Sequence, residues 1–204
     1  RKDMELIAEL VPEGSRVLDL GCGSGELLAW LKDRRGCSGY GIEIADDNVL
    51  ACAKNGVNVI QSDLEAGLSG FDSGSFDCVI LSQTLQAMKH TERLLKEILR
   101  VGREGIVSFP NFGYWRVRLQ LLAGHMPVSK ELPYQWYDTP NIHLFTLSDF
   151  ETFCRGHGVR ILERVVLTGG RPVSHWPNML GTLAVYRLDR ATGTKEMAGH
   201  GLRR

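Results

Sequence analysis

The stretch Asp19-Leu20-Gly21-Cys22-Gly23-Ser24-Gly25-Glu26 sets an acidic side chain beside unusually bare main chain. Val17 to Leu20 is an apolar run that reads as a short buried strand, and Leu27, Leu28 and Leu31 have the spacing of a helix. Between them glycine stands at alternate positions, as it must where the chain turns sharply or meets a ligand with no Cβ to collide. The unpaired N–H groups of the helix start then face whatever lies over the turn. Strand, glycine turn and helix in this order make a nucleotide-cofactor site at the carboxyl end of an open α/β sheet. A dinucleotide site wants glycine at the first, third and sixth positions of the turn. Those positions hold Gly21, Gly23 and Glu26, which makes a dehydrogenase a distant reading.

With Asp19 ahead of it, the pattern Gly21, Cys22, Gly23, Gly25 instead resembles the first motif of the Rossmann-like S-adenosylmethionine-dependent methyltransferases. The resemblance implies S-adenosylmethionine, or its product S-adenosylhomocysteine, with its methionine part against the loop main chain. An acidic residue at the turn suits a sulfonium and an ammonium, and suits a pyrophosphate poorly. Gly39 to Ile44 reads as the second strand, and Glu43 falls about 20 positions past the central glycines, where a carboxylate suits ribose hydroxyls. Val57 to Gln61 reads as the third strand and runs into Ser62, Asp63 and Leu64. The resemblance assigns Asp63 to the adenine amine and Leu64 to the ring, with Ile44 and Ser62 beside them; a plain turn aspartate is the other reading of Asp63. Phe76 to Leu81 is a continuous apolar run, as for a central strand buried on both faces. Ser82 and Gln83 follow, where methyltransferases often face the acceptor. Gln83 and Gln86 can hydrogen-bond, but neither is a useful base at neutral pH.

These residues need a scaffold of ordinary size. The chain has 204 residues, enough for one α/β domain with a well-buried core. Apolar residues make up 43% and charged residues 24%, the usual composition of a soluble globular protein. Lys+Arg and Asp+Glu number 24 each, so no bulk field favours nucleic acid or an anionic membrane, and no apolar run is long enough to span a bilayer. The cysteines at 22, 37, 52, 78 and 154 lack metal-ligand spacing, so no metal is expected, and their odd number suggests reduced thiols in a cytoplasm. The chain begins at Arg1 rather than a methionine, which leaves a preceding segment open.

The rest of the pattern is α/β. Met4 to Leu10 has helical spacing and stops at Pro12-Glu13-Gly14; Asp46-Asp47-Asn48 can cap a helix that Gly56 ends. Thr91 can cap a helix through Leu94, Leu95, Ile98 and Leu99, and Gly105 to Phe109 makes a fifth strand. From Pro110 to Phe145 the alternation stops, and Phe112, Tyr114, Trp115, Tyr134, Trp136, Tyr137 and Phe145 crowd one segment. A helix over 116–122 fits inside it, and 126–143 reads as a long ordered loop of the kind that forms lids or binding loops. Ser148-Asp149-Phe150 opens a last helix. Val159 to Leu167 and Gly181 to Leu188 follow as two strands of a hairpin at the sheet edge, connected by 169–177. From Asp189 the polar, glycine-rich sequence reads as a flexible tail over 189–204, leaving one domain over 1–188.

Longer phrases narrow the family. Ser82-Gln83-Thr84-Leu85-Gln86-Ala87, the run from Ile106 to Gly113, and Trp136-Tyr137-Asp138-Thr139-Pro140-Asn141-Ile142-His143 resemble the MetW family of bacterial methionine-biosynthesis proteins. The resemblance covers Val11 to about Leu188. It implies a doubly wound, mostly parallel seven-stranded sheet with helices on both faces and an antiparallel C-terminal edge strand. It also implies work with homoserine O-acyltransferase, the enzyme that activates homoserine with an acyl group. It supplies no methyl acceptor. If an acceptor needs deprotonation, His143 is the candidate, since histidine is the side chain whose ordinary range spans neutral pH, with Tyr137 and Asn111 to orient it. The reading preferred over this one is that His143, beside Asn141, fastens the loop by hydrogen bonds. The aromatic segment can wall an acceptor pocket, cover the core, or dock a protein, since aromatics and arginine concentrate at interface hot spots. The two functions that remain are an S-adenosylmethionine-binding accessory subunit of homoserine acylation and a methyltransferase acting on a small acceptor.

Overall fold

The computed structural model describes residues 2–191. Its sheet contains β1 (Arg16–Leu20), β2 (Ser38–Glu43), β3 (Val59–Gln61), β4 (Phe76–Ser82), β5 (Gly102–Pro110), β6 (Val159–Thr168), β7 (Arg171–Pro172) and β8 (Leu183–Arg190). The strand order is β3-β2-β1-β4-β5-β8-β6-β7. The first five strands are parallel to one another, and β8 runs antiparallel to both β5 and β6.

Alternation along the central strands builds two cores. Leu18, Leu20, Val79, Leu81, Val107, Phe109, Ala184 and Tyr186 belong to one. Val17, Cys78, Ile80, Ile106 and Val185 belong to the other, as a period of two requires when both faces are covered. Helices α1 (Lys2–Leu10), α2 (Glu26–Arg35) and α3 (Asp46–Lys54) cover the second core through Ile7, Leu28, Leu31 and Cys52. Helices α4 (Thr91–Val101) and α6 (Leu147–Gly156) cover the first through Leu95, Ile98, Phe150 and Cys154. The remaining helices are α5 (Trp115–Leu122) and the single turn α7 (Pro177–Leu180). On the first core Phe109 meets Phe145, Phe150 and Tyr186 with ring centroids 4.7, 4.8 and 5.6 Å away. Phe145 of the aromatic segment is thus core cover, as the bland reading of any aromatic predicts.

Three expectations about the C-terminal part need correction. The sheet has eight strands, because a two-residue Gly169–Gly170 turn, φ 57° and 76°, folds Arg171–Pro172 back onto β6. The last strand is not the edge: β8 lies between β5 and β6. The physical reason is side-chain chemistry, since Leu183 to Tyr186 are buried on both faces, whereas β6 carries Arg160, Glu163 and Arg164 outward and suits an exposed margin. Asp189 and Arg190 belong to β8 rather than to a tail; 192–204 lie outside the described residues. Elsewhere the differences are local. The last helix opens at Leu147, one residue before the expected Ser148, and its cap is Thr146, whose hydroxyl accepts from the Asp149 N–H in a reciprocal capping box.

Candidate cofactor site

The glycine turn hangs from the carboxyl end of β1 and leads into α2. Gly21, Gly23 and Gly25 all have left-handed backbone, φ 71°, 55° and 78°. At Gly25 a Cβ would lie 3.0 Å from the Cys52 Sγ and 3.2 Å from Val57, so the turn is pressed against α3 and the approach to β3. At Gly23 a Cβ would meet nothing within 4 Å. The middle of the turn therefore presents main chain to open space, while its end is packed.

Glu43, at the end of β2, holds the turn in place. Its Oε2 accepts from Gly23 N–H at 2.9 Å, and its Oε1 accepts from the N–H groups of Ile44 and Ala45 at 2.8 and 3.0 Å. A carboxylate has about four lone-pair sites, so these three bonds leave it an accepting position. Cys22 and Cys52 lie with their sulfurs 3.7 Å apart, and Cys52 donates to the Gly23 carbonyl at 3.1 Å. Burial first, then the Asp19 charge, pushes the Cys22 thiol well up, so it stays protonated and unreactive at neutral pH. Asp19 itself is 3% exposed beneath the turn.

A cavity of about 340 Å³ opens over these strand ends. Of the residues singled out in the sequence, Gly21, Glu43, Ile44, Ser62, Asp63 and Leu64 line it. Asp63 Oδ1 accepts from Glu65 N–H at 2.9 Å and so caps the 3₁₀ turn Leu64–Ala66. Ser82 and Gln83 stand at the end of β4, next to Thr84 on the cavity wall. Gln83 has left-handed backbone, φ 52°, a conformation that costs a non-glycine residue about 1–3 kcal/mol and gathers at functional sites. Its N–H donates to Ser108, and its side-chain amide donates to Asp3 Oδ2 at 2.6 Å.

The sequence reading missed Thr84, Ala87 and Met88, which close the cavity from the 3₁₀ turn Leu85–Ala87 and its end. It also missed Glu65, which accepts from Lys89 N–H at 2.6 Å and from His90 Nδ1 at 2.8 Å. The His90 bond, then the Lys89 N–H, holds the Glu65 carboxyl below its ordinary value. Only spatial pairing reveals this tie, because 24 and 25 residues separate the partners.

His143, Tyr137 and Asn111 stand in three different surroundings. His143 and Ile142 donate their N–H groups to the Gln86 carbonyl at 2.9 and 2.8 Å. The His143 side chain lines a separate groove of about 1010 Å³ between α4, α6 and 142–145. Tyr137 is 71% exposed and meets Trp136 edge to face. Asn111 is buried; its amide donates to the Asn178 and Gly181 carbonyls at 3.0 and 2.8 Å, and its Oδ1 accepts from Gly113 N–H at 2.9 Å.

The sheet order, with a cavity at its switch point, defines the class: a Rossmann-like methyltransferase fold. An S-adenosylmethionine-dependent methyltransferase from Thermotoga maritima superposes with TM-score 0.66 at 19% identity, covering 92% of this chain and 87% of the other. The [4+2]-cyclase SpnF superposes with TM-score 0.67 at 19% identity, covering 94% and 82%. Such identities establish the fold alone, and the cyclase marks how far chemistry varies on it.

The chain belongs to the MetW family: the model for "Methionine biosynthesis protein MetW" matches residues 1–188. The bifunctional methionine biosynthesis protein MetXA/MetW of Rhodopirellula baltica is 45% identical over 173 residues, 80% of this chain. The match spans 28% of that relative's length.

Proposed function

We propose that this chain binds S-adenosylmethionine at the glycine turn and acts with homoserine O-acyltransferase as an accessory or regulatory subunit. The observation that carries the reading is the Rhodopirellula relative, named as bifunctional for MetXA and MetW, with a stretch that aligns to this chain at 45% identity. Two activities joined in one polypeptide are held at high effective concentration, and separate chains reach the same end by binding. The exposed Trp136 and Tyr137 of the 110–145 segment suit a docking surface. The free cysteines suit a reducing compartment, the cytoplasm, and no described helix is long and apolar enough to cross a membrane.

The residues fit the cofactor. The main chain at Gly21, Cys22 and Gly23 would lie along its methionine part, over the buried charge of Asp19. Glu43 would take the ribose hydroxyls with its remaining accepting position, Asp63 the adenine amine, and Ile44 and Leu64 the faces of the ring. S-adenosylmethionine supplies an activated methyl group with a neutral leaving group. Ser82 and Gln83 border the side from which an acceptor would approach.

A methyltransferase acting on a small acceptor is the second reading. It is favoured by a further cavity that begins at Gln83, one residue from the wall of the first. Such a reaction needs an aligned nucleophile more than an acid–base pair, and orientation alone can supply roughly 7–11 kcal/mol.

The deciding experiment mixes the chain with homoserine O-acyltransferase and measures co-elution and acylation rate. In parallel, labelled S-adenosylmethionine is offered with homoserine and acylhomoserines. A complex with an altered acylation rate is expected. Methyl transfer without a complex would replace the accessory reading by the second one.

A further inference from the structure

A cavity of about 600 Å³ lies over Gln83, bounded by α1, the loop at Lys130 and Glu131, the Gly169–Gly170 turn and the start of β8. Its volume is that of a small-molecule site. Among the described residues its polar lining is mixed in sign, with the carboxylates of Asp3, Glu5 and Glu131 outnumbering the ammonium of Lys130. Two of the carboxylates are held by hydrogen bonds. Asp3 is buried with Oδ2 on the Gln83 amide at 2.6 Å, and Glu131 Oε1 accepts from the Thr182 hydroxyl at 3.2 Å. The left-handed backbone of Gln83 turns the end of β4 toward this space, and Asp3 fixes its side chain there. Leu167 and Leu183 supply the apolar part.

Carboxylates in excess repel phosphates and simple carboxylic acids and attract an ammonium group, while Lys130 gives a carboxylate its own place. We propose that this cavity binds a small zwitterionic amino acid, its ammonium between Glu5 and Glu131 and its carboxylate on Lys130. The inference rests on the proposed function for what binding accomplishes: the amino acid would sit one residue from the cofactor cavity, as methyl acceptor or as effector. Its chemistry rests on the lining alone.

Calorimetry of the full chain with L-homoserine, O-acetyl-L-homoserine and L-methionine tests it, each paired with its deaminated counterpart, 4-hydroxybutanoate, 4-acetoxybutanoate or 4-methylthiobutanoate. At least one amino acid should bind saturably, and its counterpart at least tenfold more weakly. Glu131→Gln keeps an acceptor for Thr182 and removes the charge, so it should weaken that binding about tenfold and leave S-adenosylhomocysteine affinity unchanged. Lys130→Met should weaken it by a similar factor. Binding by none of the three, equal binding of amine and deaminated forms, or indifference to both substitutions would overturn the proposal. Amino-acid binding with these features but without S-adenosylhomocysteine binding would support this site and sink the cofactor reading.

Discussion

Three backbone N–H groups converge on the Glu43 carboxylate, and one of them belongs to the middle of the glycine turn. Glu43→Gln puts an NH₂ against one of these donors, leaving a partly buried N–H unsatisfied at a cost of about 1–3 kcal/mol. Thermal unfolding should therefore move down, and S-adenosylhomocysteine affinity should fall with it. Gly23 separates shape from stability. Gly23→Val carries left-handed strain of roughly 1–2 kcal/mol, yet its Cβ meets no protein atom within 4 Å. It should fold with a slightly lower melting temperature and lose at least tenfold in cofactor affinity by calorimetry; unchanged affinity would remove the loop from the site. Both residues were legible in the sequence because glycine spacing and a carboxylate about 20 positions on carry a local physical meaning. Thr84, Ala87, Met88 and Glu65 were not, because their place in the site depends on how the end of β4 folds across the cavity.

Elements position these residues through a few local devices. Thr146 and Asp149 cap α6, which packs Phe150 against Phe109 and Tyr186. Thr146→Ala should cost about 1 kcal/mol, the usual worth of such a cap, read as a shift in denaturant midpoint without change in cofactor affinity. Asn111 ties the end of β5 to Asn178 and Gly181 around α7. Asn111→Ala leaves the buried Gly181 carbonyl and the part-buried Asn178 carbonyl without this donor and should cost more, about 1–3 kcal/mol, again sparing the cofactor. The parallel half of the sheet was readable from the apolar runs of β1, β4 and β5 and from the helical periods of α2, α3 and α4 between its strands. The antiparallel half was readable only as two strands. That β8 enters between β5 and β6 follows from the burial of Leu183 to Tyr186 on both faces against the charged margin of β6, a comparison of whole strands rather than of local pattern.

The whole molecule keeps protonated thiols inside. Burial pushes the Cys154 thiol up to about 12 and the Cys78 thiol higher still, from an ordinary value of 9.0. A thiol raised in the folded state stabilises fully below the unfolded value and loses that contribution as pH rises toward the folded one. Stability should thus be level up to about pH 9 and then fall by up to roughly 1.4 kcal/mol per pH unit for each such thiol. Melting temperatures at pH 8, 9 and 10 check it, and Cys154→Ala should flatten the alkaline slope. The most direct measurement is a crystal of this chain soaked with S-adenosylhomocysteine. Density should lie along Gly21 to Gly23, with the ribose on Glu43 and the adenine between Ile44, Asp63 and Leu64. Ligand bound elsewhere, with this turn bare, would contradict the account.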